Sequence, residues 1–268
     1  VKALVTGVTR GIGRATVHHL AGRGWEVSAV GRSREALDQR AAEWAAESVA
    51  AVRPFLADVN DSEALARVAA EAGPFDLVVA NAGALTGAGP VWESDPDEWW
   101  GGVEVNVRGV YNTARAVLPA MIERGSGRLV LLTSGLGNSP GSYISGYAAS
   151  KAAVTTFGAS LQQELQGTGV GCFLVSPGMV RTDMTAFPEA LTRHKPYLAD
   201  IPDEHFTPVE ALLALLDAIA DGLVDPLAGR FLHATDDLDA LVESIAADDP
   251  RARTLRLAPA HDADPQAR

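Results

Sequence analysis

Across 268 residues, 22 Lys and Arg stand against 34 Asp and Glu, a net charge of -12 that repels a phosphate backbone and leaves no basic stripe, so nucleic acid is not an expected partner. A hydrophobic content of 47% suffices for one large domain, and no apolar run reaches the roughly 18 to 20 residues that cross a bilayer. The single cysteine, Cys172, cannot close an internal disulfide, and the opening VKALVTG is already strand-like with no signal-peptide pattern, so the expected location is the reducing cytoplasm.

The first apolar run, KALVT, leads into TGVTRGIG and a helical pattern over 11–23. Gly7, Gly11 and Gly13 permit positive φ and close backbone approach. With Thr9, Arg10 and Ile12 they form a loop that can seat a diphosphate on the N-terminus of the helix, where free N–H groups and the dipole favour an anion. The second strand, EVSAV, ends at Gly31, Arg32 and Ser33 before a helix over 34–48. A dinucleotide fold preferring NAD usually carries Asp or Glu here, and its replacement by Gly31-Arg32 points to a 2′-phosphate held by Arg32, Arg10 and Ser33. The third strand, VRPFLA, closes on Asp58 and Val59, suited to an adenine amino group and ring. Asp61 caps a helix running to residue 72.

The fourth strand, FDLVVA, ends on Asn81, Ala82 and Gly83, small residues that let the chain pass close to a cofactor. A long helix is expected over 101–124, followed by RLVLLTS and a second long helix over 146–166 that carries YAASK. On that helix Tyr147 and Lys151, at i and i+4, share a face. A phenol at its ordinary pKa near 10 is about one part in a thousand ionised at neutral pH; bringing it toward 7 takes about 4 kcal/mol, which a neighbouring ammonium is expected to supply. The sixth strand, GCFLVS, runs into SPGMVRTDM. Residues 185–206, with Phe187, Tyr197 and Phe206 among prolines, suit a lid over an apolar substrate. A helix over 208–221 and the strand RFLHA complete the pattern, and the tail over 258–268 has a disordered composition. This alternation predicts a Rossmann-type, doubly wound parallel sheet of about seven strands with helices on both faces, in a single domain over 1–257.

With TGVTRGIG, NAG, YAASK and SPGMVRTD in this order, the sequence resembles the short-chain dehydrogenase/reductase family, over about residues 2–183. The resemblance implies a catalytic set of Asn106, Ser134, Tyr147 and Lys151: Tyr147 transfers the proton, Ser134 orients the carbonyl oxygen, Lys151 also binds the nicotinamide ribose, and Asn106 holds a water that relays protons. It further implies cofactor contacts from Pro177, Gly178, the backbone of Val180, and Thr182. The expected activity is an NADP-dependent interconversion of a carbonyl and a secondary alcohol, on a small and apolar substrate, by a homodimer or homotetramer. An NAD-preferring enzyme, a silent nucleotide-binding module and an acid/base enzyme without net redox remain alternatives. The carboxyl end, GRFLHATDDLDALVESI, departs from the family's usual Gly-Gly element. The six histidines show no metal-ligand spacing, so no metal is expected.

Overall fold

A computed structural model describes residues 1–46 and 51–246. The expected tail over 258–268 and the last two residues of the helix expected over 34–48 lie outside the described residues. All seven strands form: β1 (Lys2–Thr6), β2 (Glu26–Gly31), β3 (Val52–Leu56), β4 (Leu77–Ala80), β5 (Gly127–Leu132), β6 (Val170–Ser176) and β7 (Phe231–His233). They make one parallel sheet in the order β3-β2-β1-β4-β5-β6-β7. The chain is a single doubly wound α/β domain.

Strand periodicity divides the core into two layers. On β4, Val78 and Ala80 face one side with Leu129 and Leu131 of β5, while Leu77 and Val79 face the other with Val130 and Leu132. Both faces must be covered, which explains why these strands are apolar without interruption. Helices α3 (Ser62–Ala72), α5 (Gly109–Arg124) and α6 (Ser145–Glu164) cover the first face. Helices α1 (Gly11–Gly22), α2 (Arg34–Ala46) and α8 (Val209–Ala220) cover the second. Asp61 caps α3 as expected, accepting from the N–H groups of Glu63 and Ala64 at 3.0 and 2.9 Å.

Three elements differ from expectation. The helix expected to begin at residue 101 begins as α4 (Pro96–Val103), where Asp95 accepts from the N–H groups of Asp97 and Glu98 and Pro96 takes the first turn. It then widens into a π-helical turn (Glu104–Arg108) before α5, so what reads as one helix is two joined by a bulge around Asn106. Residues 185–206 carry the short helix α7 (Glu189–Thr192) between single helical turns. After β7 the chain forms α9 (Leu238–Ala246), where sequence patterning assigned no element.

Strand order reverses between β1 and β4, so the loops leaving their carboxyl ends diverge and open a crevice. TGVTRGIG follows β1 and NAG follows β4. The topology therefore brings both motifs to one crevice, beside the ends of β5 and β6.

Candidate active site

The crevice holds two cavities that share Ile12, Asn81, Gly83 and Thr182 in their walls. One, of about 490 Å³, is lined by Gly7, Thr9, Arg10, Gly11, Arg32, Asp58, Val59 and Ala82. Its floor is built by backbone proximity. Gly7 has φ +73°, and a Cβ there would stand 2.8 Å from Ala82 Cα; a Cβ on Gly13 would stand 2.2 Å from Gly7 O. Asn81 locks the two loops together, donating through Nδ2 to Thr6 O at 2.8 Å and Gly7 O at 3.1 Å, while Thr6 Oγ1 accepts from the N–H groups of Asn81 and Ala82 at 3.1 Å. Its side chain thus shapes the floor, and small size is only part of its role.

Helix α1 begins at this floor with no side-chain cap and no acid in its first turn. Its first N–H groups and the dipole are left to an anion. These residues fit a dinucleotide diphosphate. At the far end, Arg32 is exposed, and Arg10 makes only a 3.4 Å pair with Asp183 between side chains about 70% exposed, worth roughly 0–1 kcal/mol and readily exchanged for another anion. Ser33 does not line this cavity; its hydroxyl accepts from Ala36 N–H at 3.3 Å, an N-terminal cap of α2. Asp58 Oδ1 accepts from Asn60 N–H at 2.8 Å, and Val59 packs under Gly109 with its carbonyl held by Asn112 Nδ2 at 2.9 Å.

The second cavity, of about 520 Å³, lies over the ends of β5 and β6 and includes Ser134, Tyr147, Lys151, Pro177, Gly178 and Val180 in its lining. Tyr147 and Lys151 stand one turn apart on α6, the lysine Nζ 5.6 Å from the tyrosine ring centre. Ser134, just beyond β5, lines the same cavity as Tyr147, and its hydroxyl accepts from Leu136 N–H at 3.2 Å. Lys151 Nζ donates to Leu132 O at 2.8 Å and is otherwise enclosed.

Asn106 is fully buried and does not line either cavity. Its Oδ1 accepts from Ala84 N–H at 2.8 Å; its Nδ2 donates to Ala84 O and Ser150 Oγ, each at 2.9 Å, and Ser150 donates to Tyr147 O at 2.7 Å. The amide therefore clamps the π turn to the loop after β4 and to α6, and a water relay through this side chain has only one lone pair left to use.

The electrostatics correct one expectation. Burial raises the Tyr147 phenol above its ordinary value, a shift the Ser134 hydroxyl opposes but does not reverse, and burial lowers the Lys151 ammonium to about 8. The ammonium was expected to depress the phenol; it lies against the ring face, it is not among the causes of the shift, and desolvation decides the direction. A neutral phenol is the form that donates a proton. The cation beneath it, by contrast, is lost as pH rises through about 8. Accordingly, kcat/KM for the reduced nucleotide, scanned between about pH 6 and 10, should fall above a midpoint near 8, and Lys151→Arg should move that limb upward. A flat profile would show that the Lys151 charge is not used.

Two other side chains with reactive groups are not placed for the chemistry. Tyr143 is outside the cleft lining and has φ +65°, its ring stacked on His194 at 4.5 Å. Cys172 is buried in β6 with its thiol pushed up to about 12, which suits packing and not nucleophilic attack. Among the described residues no His, Cys, Asp and Glu cluster could hold a metal.

The model of the short chain dehydrogenase family matches residues 2–190. The chain belongs to the short-chain dehydrogenases. Over 255 residues this short-chain dehydrogenase is 34% identical to a short chain dehydrogenase of Pseudocercospora fijiensis, covering 90% of this chain and 82% of the relative. It is 37% identical over 186 residues to the 2,3-dihydro-2,3-dihydroxybenzoate dehydrogenase of Bacillus subtilis, covering 68% of this chain and 70% of the relative. Among solved structures it is similar to a variant actinorhodin polyketide ketoreductase with NADPH, at 27% identity and a TM-score of 0.76, covering 87% of this chain and 94% of that one. A 3-oxoacyl-[acyl-carrier protein] reductase from Brucella melitensis with bound NAD gives 27% identity and 0.74, covering 87% and 88%. As a short-chain dehydrogenase the chain is an NAD(P)-dependent oxidoreductase acting on small molecules.

Sequence reasoning missed His233 and Lys195, which also line the second cavity. His233 had a usable signal, because it ends β7 and the carboxyl ends of parallel strands face the crevice. Lys195 had none, since it is placed by the fold of residues 185–206.

Proposed function

We propose that this enzyme is an NADP-dependent reductase that converts a carbonyl to a secondary alcohol, with Ser134, Tyr147 and Lys151 as its catalytic residues. The observation that carries this reading is that Ser134, Tyr147 and Lys151 line one cleft that adjoins the diphosphate cradle, with the Lys151 ammonium against the phenol ring. A nicotinamide nucleotide, when bound, supplies the hydride. Tyr147 donates its proton to the carbonyl oxygen as that oxygen gains charge, and Ser134 holds the same oxygen in place. Lys151, pinned through Leu132 O, keeps a positive charge under Tyr147 and meets the ribose hydroxyls. Asn106 is a positioning residue that fixes α6 against the π turn. Pro177, Gly178, Val180 and Thr182 hold the nicotinamide side, and Gly7, Thr9, Gly11, Ile12 and Gly13 the diphosphate, with Asn81, Ala82 and Gly83 beside them. Asp58 and Val59 border the adenine, while Arg10 and Arg32 take the 2′-phosphate. Residues 185–206 serve as the lid. NAD use is the second reading, favoured by the Brucella melitensis reductase with NAD. Consumption of NADPH and NADH, each with and without a panel of ketones, tests the proposal: turnover with NADPH and ketone supports it, and binding without consumption sinks it.

Assembly follows from a surface feature. Trp100 and Tyr111 are 64% and 49% exposed and, with Val107, Val154 and Phe157, surround an open apolar depression of about 580 Å³ on the outer face of α4, α5 and α6. Exposed apolar surface of this kind is covered by a partner, and a second copy seating the same helices makes the homodimer or homotetramer. Sedimentation should show a dimer or larger at micromolar protein, and Tyr111→Glu should shift it toward 28.0 kDa. Wild type sedimenting as a 28.0 kDa species would rule the assembly out.

A further inference from the structure

Among the described residues no carboxylate lines the second cavity, although the chain has 34 acidic residues. Its lining instead carries Lys151, Lys195 and His233 among apolar walls such as Leu136, Met179 and Phe187. In a molecule of net charge -12, a cleft with cations and no acid marks a local inversion of the field.

Two of the three basic groups are already engaged. Lys151 donates to Leu132 O beneath Tyr147, and His233 Nδ1 lies 2.8 Å from Thr235 Oγ1. Lys195 is different. No hydrogen bond or ion pair joins its ammonium to another described residue, yet it is half-buried in the cavity wall. Of the acids near it in sequence, Glu189 pairs with Arg193 at 3.2 Å and Asp203 pairs with Arg181, and neither these two nor Asp200 and Glu204 line the cavity.

The position of Lys195 is fixed from both sides. Its N–H donates to the carbonyl of Leu191, a side chain with 0% exposure, and its own carbonyl accepts from Leu198 N–H, both at 3.0 Å. The preceding residue, His194, stacks on Tyr143 with 12° between the ring planes. Tyr143 is held in its left-handed conformation with its carbonyl accepting from Gly89 N–H at 2.7 Å, so the stack is anchored to the body of the domain. A lysine on an anchored turn, in the wall of a largely apolar cleft that no described carboxylate lines, is suited to the anionic end of a ligand whose remainder is apolar.

We propose that Lys195 is a specificity-determining residue that pairs with a carboxylate, so that the substrate class is an apolar oxo acid whose ketone lies at Tyr147. The inference rests on the reductase reading of the same cleft. It assigns Lys195 to the substrate and not to the nucleotide.

The probes are 4-acetylbenzoate and 6-oxoheptanoate, each against its methyl ester, in wild type, Lys195→Met and Lys195→Arg. Wild type should show kcat/KM at least about tenfold higher for each acid than for its ester, mostly through KM. Lys195→Met should bring the two together by losing the acid, leave the esters within about twofold, and leave the NADPH dissociation constant unchanged; Lys195→Arg should keep the preference. Titration of 4-acetylbenzoate into the NADP-loaded protein reads the same contact without turnover, and should weaken at least about tenfold in Lys195→Met. Equal use of acid and ester by wild type, an unaltered ratio in Lys195→Met, or weaker NADPH binding in that variant would each overturn the assignment. If no ketone or ester is reduced but 4-acetylbenzoate binding depends on Lys195, the carboxylate site stands and the reductase reading fails. If neutral ketones are reduced while neither acid binds, the reductase reading stands and the carboxylate site fails.

Discussion

Tyr147→Phe is expected to lower turnover by at least about 100-fold, the loss typical of a missing general acid, while leaving cofactor binding almost unchanged. The ring keeps its packing and its 5.6 Å relation to Lys151 Nζ; what disappears is the hydroxyl. Ser134→Ala should lose less, because the phenol keeps its proton and only the orientation of the carbonyl is forfeited. The raised phenol and the lowered ammonium make this asymmetric: below about pH 8 the free site holds a neutral acid over a cation, the combination that reduction needs. Rate measurements on Tyr147→Phe and Tyr143→Phe decide the assignment. Full activity in the first with loss in the second would move the acid to Tyr143, against its position outside the cleft.

The second large effect concerns the nucleotide. NADPH should bind about 10- to 100-fold more tightly than NADH, since one charge-assisted contact to a phosphate is worth roughly 1.5 to 3 kcal/mol. The net charge of -12 opposes this at long range, but near 0.15 M salt that field is screened beyond about 8 Å, whereas a guanidinium against the phosphate is not. Arg32→Ala should collapse the preference, and adding Gly31→Asp should reverse it by offering a carboxylate to the ribose hydroxyls and repelling the phosphate. The aspartate Cβ would meet Thr9 Cγ2 at 3.2 Å and Leu37 Cδ1 at 3.3 Å, side-chain methyls that can yield by small rotations. Fluorescence titration with both nucleotides reads the outcome. Equal dissociation constants on wild type would make Arg10 and Arg32 ordinary surface charges.

The strands were legible in the sequence because a sheet covered on both faces forces continuous apolar runs, as LVVA and GCFLVS show, and the glycine loop because only glycine permits the approaches at Gly7 and Gly13. Helix starts were less legible. Residues 96–100 lie before the helix expected from residue 101 and are its start, and the π turn at Asn106 leaves no mark in residue periodicity. Tyr147, Lys151 and Ser134 were readable because local spacing and strand ends fix them. The partners of Asn106 and Asn81 were not, since Ala84, Ser150, Thr6 and Gly7 reach them only across the fold. The direction of the Tyr147 shift was also out of reach, because burial decides it and spacing to a lysine does not report burial.

The central claim is hydride transfer to a carbonyl at Tyr147, and one measurement tests it most directly: the amount of alcohol formed against the amount of NADPH consumed, in wild type and in Tyr147→Phe. The account predicts one alcohol per NADPH in wild type and a rate at least about 100-fold lower in the variant. Product formed without nucleotide consumption would show an acid/base enzyme without net redox, and tight NADPH binding with no consumption across the ketone panel would show a nucleotide-binding module; either result contradicts it.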